Sequence, residues 1–208
     1  MVIDASFPER FNSVVITLVT AKVMGLESPD RAAPGGKMMK PQELRKELQE
    51  GSTPDLKNRR AVIVASLAGI ASMTAVTLLQ TGIIKHLPDP PVGNFDSDKV
   101  NSSDTAYRFG LPDGTISLAS LALNIPIAAF GGGERARKHP WLSIFAAAKA
   151  VAEAAAASWY FYQMPAKEKA WCGYCISGAL ANVAIAGLTI PEAREAISVL
   201  SKSKGNNL

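Results

Sequence analysis

Four long apolar segments constrain this chain more than any other feature of its sequence. The segments are residues 61–84, 114–133, 141–164 and 171–191. Only the third contains charged residues, Lys149 and Glu153. A helix that crosses the roughly 30 Å hydrocarbon layer of a bilayer needs about 20 predominantly apolar residues, and each segment is long enough. A soluble bundle is the alternative, but helices that face water carry a charged stripe. The sequence therefore predicts an all-α membrane protein, a four-transmembrane-helix bundle.

The distribution of Lys and Arg around these segments predicts the orientation of the chain in the membrane. Eleven lie near one set of segment ends: Arg45, Lys46, Lys57, Arg59, Arg60, Arg135, Arg137, Lys138, Arg194, Lys202 and Lys204. Five lie near the other set: Lys85, Lys99, Arg108, Lys167 and Lys169. Because cytoplasmic loops are enriched in Lys and Arg, we expect both termini to be cytoplasmic and loops 85–113 and 165–170 to face outward. The expected location is the plasma (inner) membrane.

The polar parts of the chain divide it into four regions. They are an N-terminal extension of unknown structure (1–38), a cytoplasmic amphipathic segment (39–60), the transmembrane domain (61–191) and a cytoplasmic tail (192–208). In the second region, Leu44 and Leu48 share a helical face and Gly51 follows, which predicts a short helix from Lys40 to Gly51. The net charge is +4, but no basic run with interleaved aromatic residues is present. We therefore expect a lipid membrane as a partner, and no nucleic acid.

The two cysteines of the chain form one pair, Cys172-Gly173-Tyr174-Cys175, at the start of the fourth segment. Residues spaced i, i+3 on a helix share one face, so the two sulfurs can form a disulfide. The N–H groups and the dipole at a helix N-terminus stabilise a thiolate, the species that exchanges with disulfides. This position predicts redox-active catalytic cysteines near the outer face of the membrane. The alternative is two small apolar side chains that pack in the bundle.

No metal site is expected at this pair. Zinc requires four ligands in a structural site, and His86 is the only other histidine or cysteine predicted on the same side. His139 is predicted on the cytoplasmic side. Ile176 occupies the position where a c-type haem attachment site has histidine.

Four predicted spans, a long outer loop before the second and a Cys-x-x-Cys pair opening the last resemble the vitamin K epoxide reductase family. The loop segment from Ser97 to Ser103 (SDKVNSS) and the following FGLP, residues 109–112, are similar to Cys-Asp-x-Val-x-Ser-Ser and Gly-Ile-Pro segments of bacterial members. The resemblance covers residues 60–191. It implies a quinone beside the pair, with Cys175 interacting with the quinone and Cys172 exchanging with a loop cysteine pair. In the family that loop pair relays electrons from thioredoxin-like partners.

The chain departs from the family pattern at two places. It has no loop cysteines, because Ser97 occupies the position of the motif's cysteine, and Ala179 replaces a tyrosine of some members. The resemblance implies a membrane thiol–quinone oxidoreductase-like protein that exchanges electrons between a dithiol or disulfide and a quinone. Electrons would come directly from a partner, either thioredoxin-like or another dithiol protein, and the direction of flow is open. The alternative is a non-catalytic membrane binding or assembly subunit of the same descent, which the missing cysteines favour.

Polar residues inside the apolar segments are costly in lipid and are expected to face the bundle interior. They are Asn124, Lys149, Glu153 and Asn182. Lys149 and Glu153 are spaced i, i+4, which predicts an ion pair, with a proton path as the functional alternative. The segment from Arg135 to His139 is predicted to form a solvated turn.

Overall fold

The computed structural model describes residues 40–205, and the predicted extension over residues 1–38 lies outside the described part. The helices, numbered here in chain order, are α1 Pro41–Glu50, α2 Pro54–Gln80, α3 Ser97–Asn101, α4 Asp113–Ala129, α5 Arg135–Lys138, α6 Pro140–Gln163 and α7 Gly173–Gly205. α6 continues into a π-helical turn, Met164–Glu168. Between residues 40 and 205, extended pairing is limited to one isolated bridge, Phe95 with Trp171. The described part is therefore all-helical, as predicted.

Three helices are long and apolar enough to cross a membrane. They are Pro54–Gln80, Pro140–Glu168 and Gly173–Ser203. α4 is apolar but has 17 residues, so it is about 25 Å long against a hydrocarbon layer of roughly 30 Å. It ends before the predicted segment does, because Phe130 is extended and Gly131 has a φ of +76°. Three candidate spans are thus present in the described residues, and the fourth span stays a prediction.

The long helices enclose an apolar core. α2 packs against α4 and α7, and α6 packs against α7. Gly69 allows α2 to approach both neighbours, since a Cβ there would lie 2.9 Å from Leu121 Cδ1 and 3.2 Å from Ala181 Cβ. Small residues at such crossings permit the close backbone approach that stabilises helix pairs in lipid. The core between these helices includes Val62, Met73, Val76, Leu121, Ala150 and Ile185.

Three of the polar residues of the apolar segments, Asn124, Lys149 and Glu153, form a network between α4 and α6. Lys149 forms an ion pair with Glu153, which confirms the predicted pair. Lys149 Nζ also donates to Asn124 Oδ1 at 2.7 Å, and Asn124 Nδ2 donates to Glu153 Oε2 at 3.3 Å. Asn182 donates to the carbonyl of Gly178 on its own helix. These contacts satisfy groups whose burial without partners would be costly.

Arg135 is buried, so the prediction of a solvated turn from Arg135 to His139 is wrong for this residue. Its Nε and Nη2 atoms donate to the Glu192 carboxylate at 2.8 and 2.5 Å. Its Nη1 donates to the carbonyl of Ile127 at 2.5 Å, and Ser143 Oγ donates to Glu192 Oε1 at 3.2 Å. The turn lies against the bundle, so the charge of Arg135 is shielded from water and requires a partner. Glu192 on α7 supplies it.

α1 confirms the helix predicted from Lys40 to Gly51. It contacts the loop that follows α4. Glu47 Oε1 accepts a hydrogen bond from the N–H of Gly133 at 2.6 Å. The Arg59 guanidinium donates to the carbonyls of residues 130–132 at 2.9 to 3.3 Å. These bonds satisfy backbone carbonyls at and beyond the C-terminus of α4, where intrahelical partners run out.

α7 continues beyond the predicted segment, through Pro191 to Gly205. Glu192, Ala193 and Ala196 are buried on this continuation. The first part of the predicted cytoplasmic tail, residues 192–208, is therefore helical and packed against the bundle.

Candidate redox site

The two cysteines lie at the N-terminus of α7 and are joined by a disulfide, with their Cα atoms 5.2 Å apart. α7 begins at Gly173, so Cys172 precedes the first helical residue. Its Sγ accepts a hydrogen bond from the N–H of Cys175 at 3.1 Å. A sulfur atom thus takes the place of the side-chain oxygen that usually caps a helix. The disulfide that the spacing predicts is present, while the catalytic roles of the two cysteines stay predictions.

The connection between α2 and α4, residues 81–112, folds over this pair, and we call it the cap loop. Phe95 forms a parallel bridge with Trp171. The Trp171 N–H donates to the carbonyl of Asn94 at 2.8 Å, and the Asp96 N–H donates to the carbonyl of Trp171 at 2.9 Å. The cap loop is therefore fixed to the residue immediately before Cys172 by backbone hydrogen bonds.

The two sulfur-bearing residues differ in exposure. Cys172 is 0 % exposed, whereas Cys175 is half-buried. The position of Cys172 before the helix suggests that it lies nearer to water, but the cap loop covers it. Cys175 packs against the apolar core of the bundle as well as the cluster around Cys172. That second cluster contains Val100, Met164, Ala170 and Cys172.

Asn101, the last residue of α3, lies between the two sulfurs. Its Nδ2 is 3.3 Å from Cys172 Sγ, and its Oδ1 is 3.4 Å from Cys175 Sγ. The residue is 2 % exposed, and its Nδ2 also donates to the carbonyl of Ser97 at 2.7 Å. The sequence analysis includes Asn101 only as one letter of the loop motif, since a contact with the pair depends on how the cap loop folds.

Ser97, which stands where the family motif has cysteine, is 0 % exposed. Its Oγ donates to Asp89 Oδ1 at 2.6 Å, and its N–H donates to Asp89 Oδ2 at 2.7 Å. A hydroxyl cannot exchange with disulfides. The position therefore holds the cap loop together and carries no thiol relay.

Gln80 connects the cap loop to α4. Its Nε2 donates to Asp113 Oδ1 at 2.6 Å and to the carbonyl of Asn101 at 3.3 Å. Its Oε1 accepts from the N–H of Gly114 at 3.0 Å, and its own carbonyl accepts from the Tyr107 hydroxyl at 2.9 Å. These bonds hold Asn101, and through it the sulfur contacts, in place.

Two buried hydroxyls on α2, Ser66 Oγ and Thr77 Oγ1, have no hydrogen-bond partner among residues 40–205. Thr77 lies one helical turn beyond Met73. Met73 in turn lies against α7 one turn after Cys175, since a Cβ at Gly178 would be 2.8 Å from Met73 Cε. Thr77 Oγ1 itself lies against α4, since a Cβ at Gly114 would be 3.3 Å from it.

His86 pairs with Asp98 within the cap loop, and Asp98 Oδ1 also accepts from the N–H of Leu87 at 2.8 Å. The hydrogen bond to Asp98 raises the pKa of His86, and the negative charges of Asp98, Asp89 and Asp96 act in the same direction. Between residues 40 and 205, no three His, Cys, Asp or Glu side chains are grouped closely enough to hold a metal ion.

We expect the cap loop to become more mobile as the pH rises through the folded-state pKa of His86. The raised pKa means that protonated His86 stabilises the loop fully below its unfolded pKa of about 6.5, and that this contribution disappears at higher pH. Hydrogen–deuterium exchange of cap-loop peptides, corrected for intrinsic rates, should show the loss of protection as the pH rises from about 6.5 through the folded-state pKa. His86→Gln should abolish this pH dependence. His139→Gln, at the chain's other histidine, should retain it, and an unchanged profile in His86→Gln would contradict the assignment.

The model of the vitamin K epoxide reductase family matches residues 60–190, which is more than half of the 208-residue chain. No curated protein and no solved structure gives a significant match. The matched region runs from Arg60 in α2 to Ile190 in α7, and it includes the cap loop and both cysteines. The chain therefore belongs to the vitamin K epoxide reductase family.

Proposed function

We propose that this protein is a membrane thiol–quinone oxidoreductase in which Cys172 and Cys175 exchange electrons between a dithiol or disulfide and a quinone. The observation that carries the proposal is the disulfide at the N-terminus of α7, between the cap loop and the apolar core. Family membership supports the link to a quinone. The half-buried Cys175 against the core is suited to contact a lipid-soluble quinone, and Cys172 under the cap loop is suited to exchange with a thiol.

The proposed reaction moves two electrons. A partner dithiol, from a thioredoxin-like or other protein, reduces the Cys172–Cys175 disulfide and becomes a disulfide itself. The reduced pair then passes two electrons to the quinone, which takes up two protons and leaves as quinol, and the disulfide re-forms. The helix N-terminus stabilises the thiolate that each exchange requires. The same steps in reverse would oxidise quinol.

The proposed setting is the plasma (inner) membrane with both termini cytoplasmic and the cap loop outside. The distribution of Lys and Arg supports this orientation. An outward-facing pair is also in the compartment where disulfide chemistry is permitted. α4 would serve as the fourth span, because it is apolar and packs against α2.

The purified protein should reduce a soluble quinone analogue in the presence of a dithiol reductant, as followed by quinone absorbance. Cys172→Ala and Cys175→Ala should each reduce the rate roughly a hundredfold or more, because each removes a covalent participant. Ser177→Ala is the matched control: Ser177 is exposed on the same helix and its hydroxyl contacts Ser72 Oγ at 3.1 Å. Wild-type activity in either cysteine variant would contradict the proposal.

The second candidate function is a non-catalytic membrane binding or assembly subunit. The hydrogen-bonded Ser97 favours it, because the relay position of relatives has become part of the loop's own structure. If this candidate is right, the wild-type protein folds with an intact disulfide but does not reduce a quinone. The Cys172→Ala/Cys175→Ala variant should then bind its partner as the wild type does.

A further inference from the structure

The orientation of the Asn101 amide follows from its contact with Ser97. A backbone carbonyl only accepts hydrogen bonds, so the group 2.7 Å from the Ser97 carbonyl must be the Asn101 nitrogen. This nitrogen lies 3.3 Å from Cys172 Sγ, and its second hydrogen is available to that sulfur. The amide oxygen, which only accepts, therefore faces Cys175 Sγ at 3.4 Å.

The two sulfurs consequently lie in opposite hydrogen-bonding environments. Cys172 Sγ is within reach of two donors, Asn101 Nδ2 and the Cys175 N–H at 3.1 Å. Cys175 Sγ faces an acceptor, Asn101 Oδ1. In the disulfide neither sulfur carries a proton, so the contact with the amide oxygen becomes a hydrogen bond only when Cys175 is a thiol.

We propose that Asn101 is a positioning residue that holds the reduced pair as a Cys172 thiolate and a Cys175 thiol. The inference rests on the proposed function and adds which cysteine carries the charge. A partner dithiol supplies two electrons and two protons: one proton goes to Cys175, the other is released to solvent, and the partner becomes a disulfide. Hydrogen bonds to the charged form of a group favour that form, and Cys172 is the sulfur that receives them.

This arrangement has a consequence for each chemical step. A partner thiol that attacks Cys172 forms a mixed disulfide with it and displaces Cys175, which takes up a proton; Cys172 then leaves as a stabilised thiolate when the second thiol of the partner closes the partner's disulfide. In the reverse direction the Cys172 thiolate is the nucleophile that attacks the disulfide of a partner. Because Cys172 is fully buried, a charge on its sulfur depends on its two donors, Asn101 Nδ2 and the Cys175 N–H, whereas the Cys175 thiol keeps its proton because its sulfur faces an acceptor. Burial of Asn101 makes the effect strong, because no water competes for its amide hydrogens.

The test measures thiolate formation directly in reduced protein, through the ultraviolet absorbance of the thiolate as a function of pH. Asn101→Leu removes the amide but keeps a similar volume, and it should raise the midpoint of the first thiolate by about one to two units. Ser103→Ala is the matched control in the same loop, because its hydroxyl donates to the carbonyl of Val100 at 2.8 Å rather than to either sulfur. Ser103→Ala should leave the midpoint unchanged. An unchanged midpoint in folded Asn101→Leu, even with a lower Tm, would overturn the proposal in favour of a packing role.

A second measurement keeps Asn101 intact and decides the question if Asn101→Leu does not fold. Cys175→Ser should retain the low-midpoint thiolate, and Cys172→Ser should lose it. Equal midpoints in these two variants would overturn the assignment of charge to Cys172. Neither titration requires a quinone, so a failure here leaves the proposed function standing. Shifted midpoints without quinone reduction would overturn only the function.

Discussion

Arg135→Met should destabilise the protein by about 3–5 kcal/mol, because it leaves the buried Glu192 carboxylate without its cationic partner. The two side chains are 2 % and 5 % exposed, so water cannot replace the lost contact. Arg135 Nη1 also satisfies the carbonyl of Ile127 near the end of α4. For a chain of this length, the expected fall in Tm is roughly 10 °C.

Two further variants separate the loss of the pair from the loss of one partner. Arg135→Met/Glu192→Met should recover most of the stability, because it removes both buried charges. Arg137→Met tests an exposed pair between the same two helices, since Arg137 and Glu195 are 67 % and 38 % exposed. This variant should cost less than about 1 kcal/mol. Thermal unfolding in detergent, followed by circular dichroism, measures all three. Equally small shifts for Arg135→Met and Arg137→Met would show that the buried pair adds little.

The helical architecture could be predicted from the sequence, because a chain in lipid must satisfy its backbone polar groups internally and helices do so locally. The ends of α4 and α7 could not. α4 ends at Ala129, where Arg59 from another helix binds the carbonyls that follow. α7 continues through Pro191, where Glu192 is held by Arg135. Both ends depend on contacts between residues that are far apart in sequence, which hydropathy does not record.

The candidate site could likewise be predicted only in part from the sequence. The Cys172–Cys175 disulfide follows from the spacing of the two residues, and the structure contains it. The burial of Cys172 depends on the pairing of Phe95 with Trp171, and the sulfur contacts of Asn101 depend on the fold of the cap loop. The loop motif from Ser97 to Ser103 supports the family resemblance, but it does not indicate that Asn101 contacts the sulfurs.

Opening of the cap loop should control how fast aqueous thiols reach Cys172. In Cys175→Ser, Cys172 is the single thiol, and its complete burial means that a water-soluble reagent must react with an opened state. Asp89 holds the loop through two hydrogen bonds from Ser97. Hydrogen bonds to a charged group contribute about 1.5–3 kcal/mol each, so the loss of both in Asp89→Ala in this background should raise the trapping rate on the order of 100-fold or more.

Trapping of a mixed disulfide with a small water-soluble disulfide reagent, read as a mass shift over time, measures this rate. Cys175→Ser/Asp104→Ala is the matched control, because Asp104 is an exposed aspartate of the same loop. It should trap at the rate of Cys175→Ser alone. Although Cys175 is half-buried, Cys172→Ser should trap little with or without Asp89, because Cys175 packs against the apolar core, where a water-soluble reagent partitions poorly. Rapid trapping in Cys175→Ser that Asp89→Ala does not change would show that the loop is no barrier. Equal trapping by Cys172→Ser and Cys175→Ser would contradict the division of roles, since one sulfur could then not be reserved for the quinone.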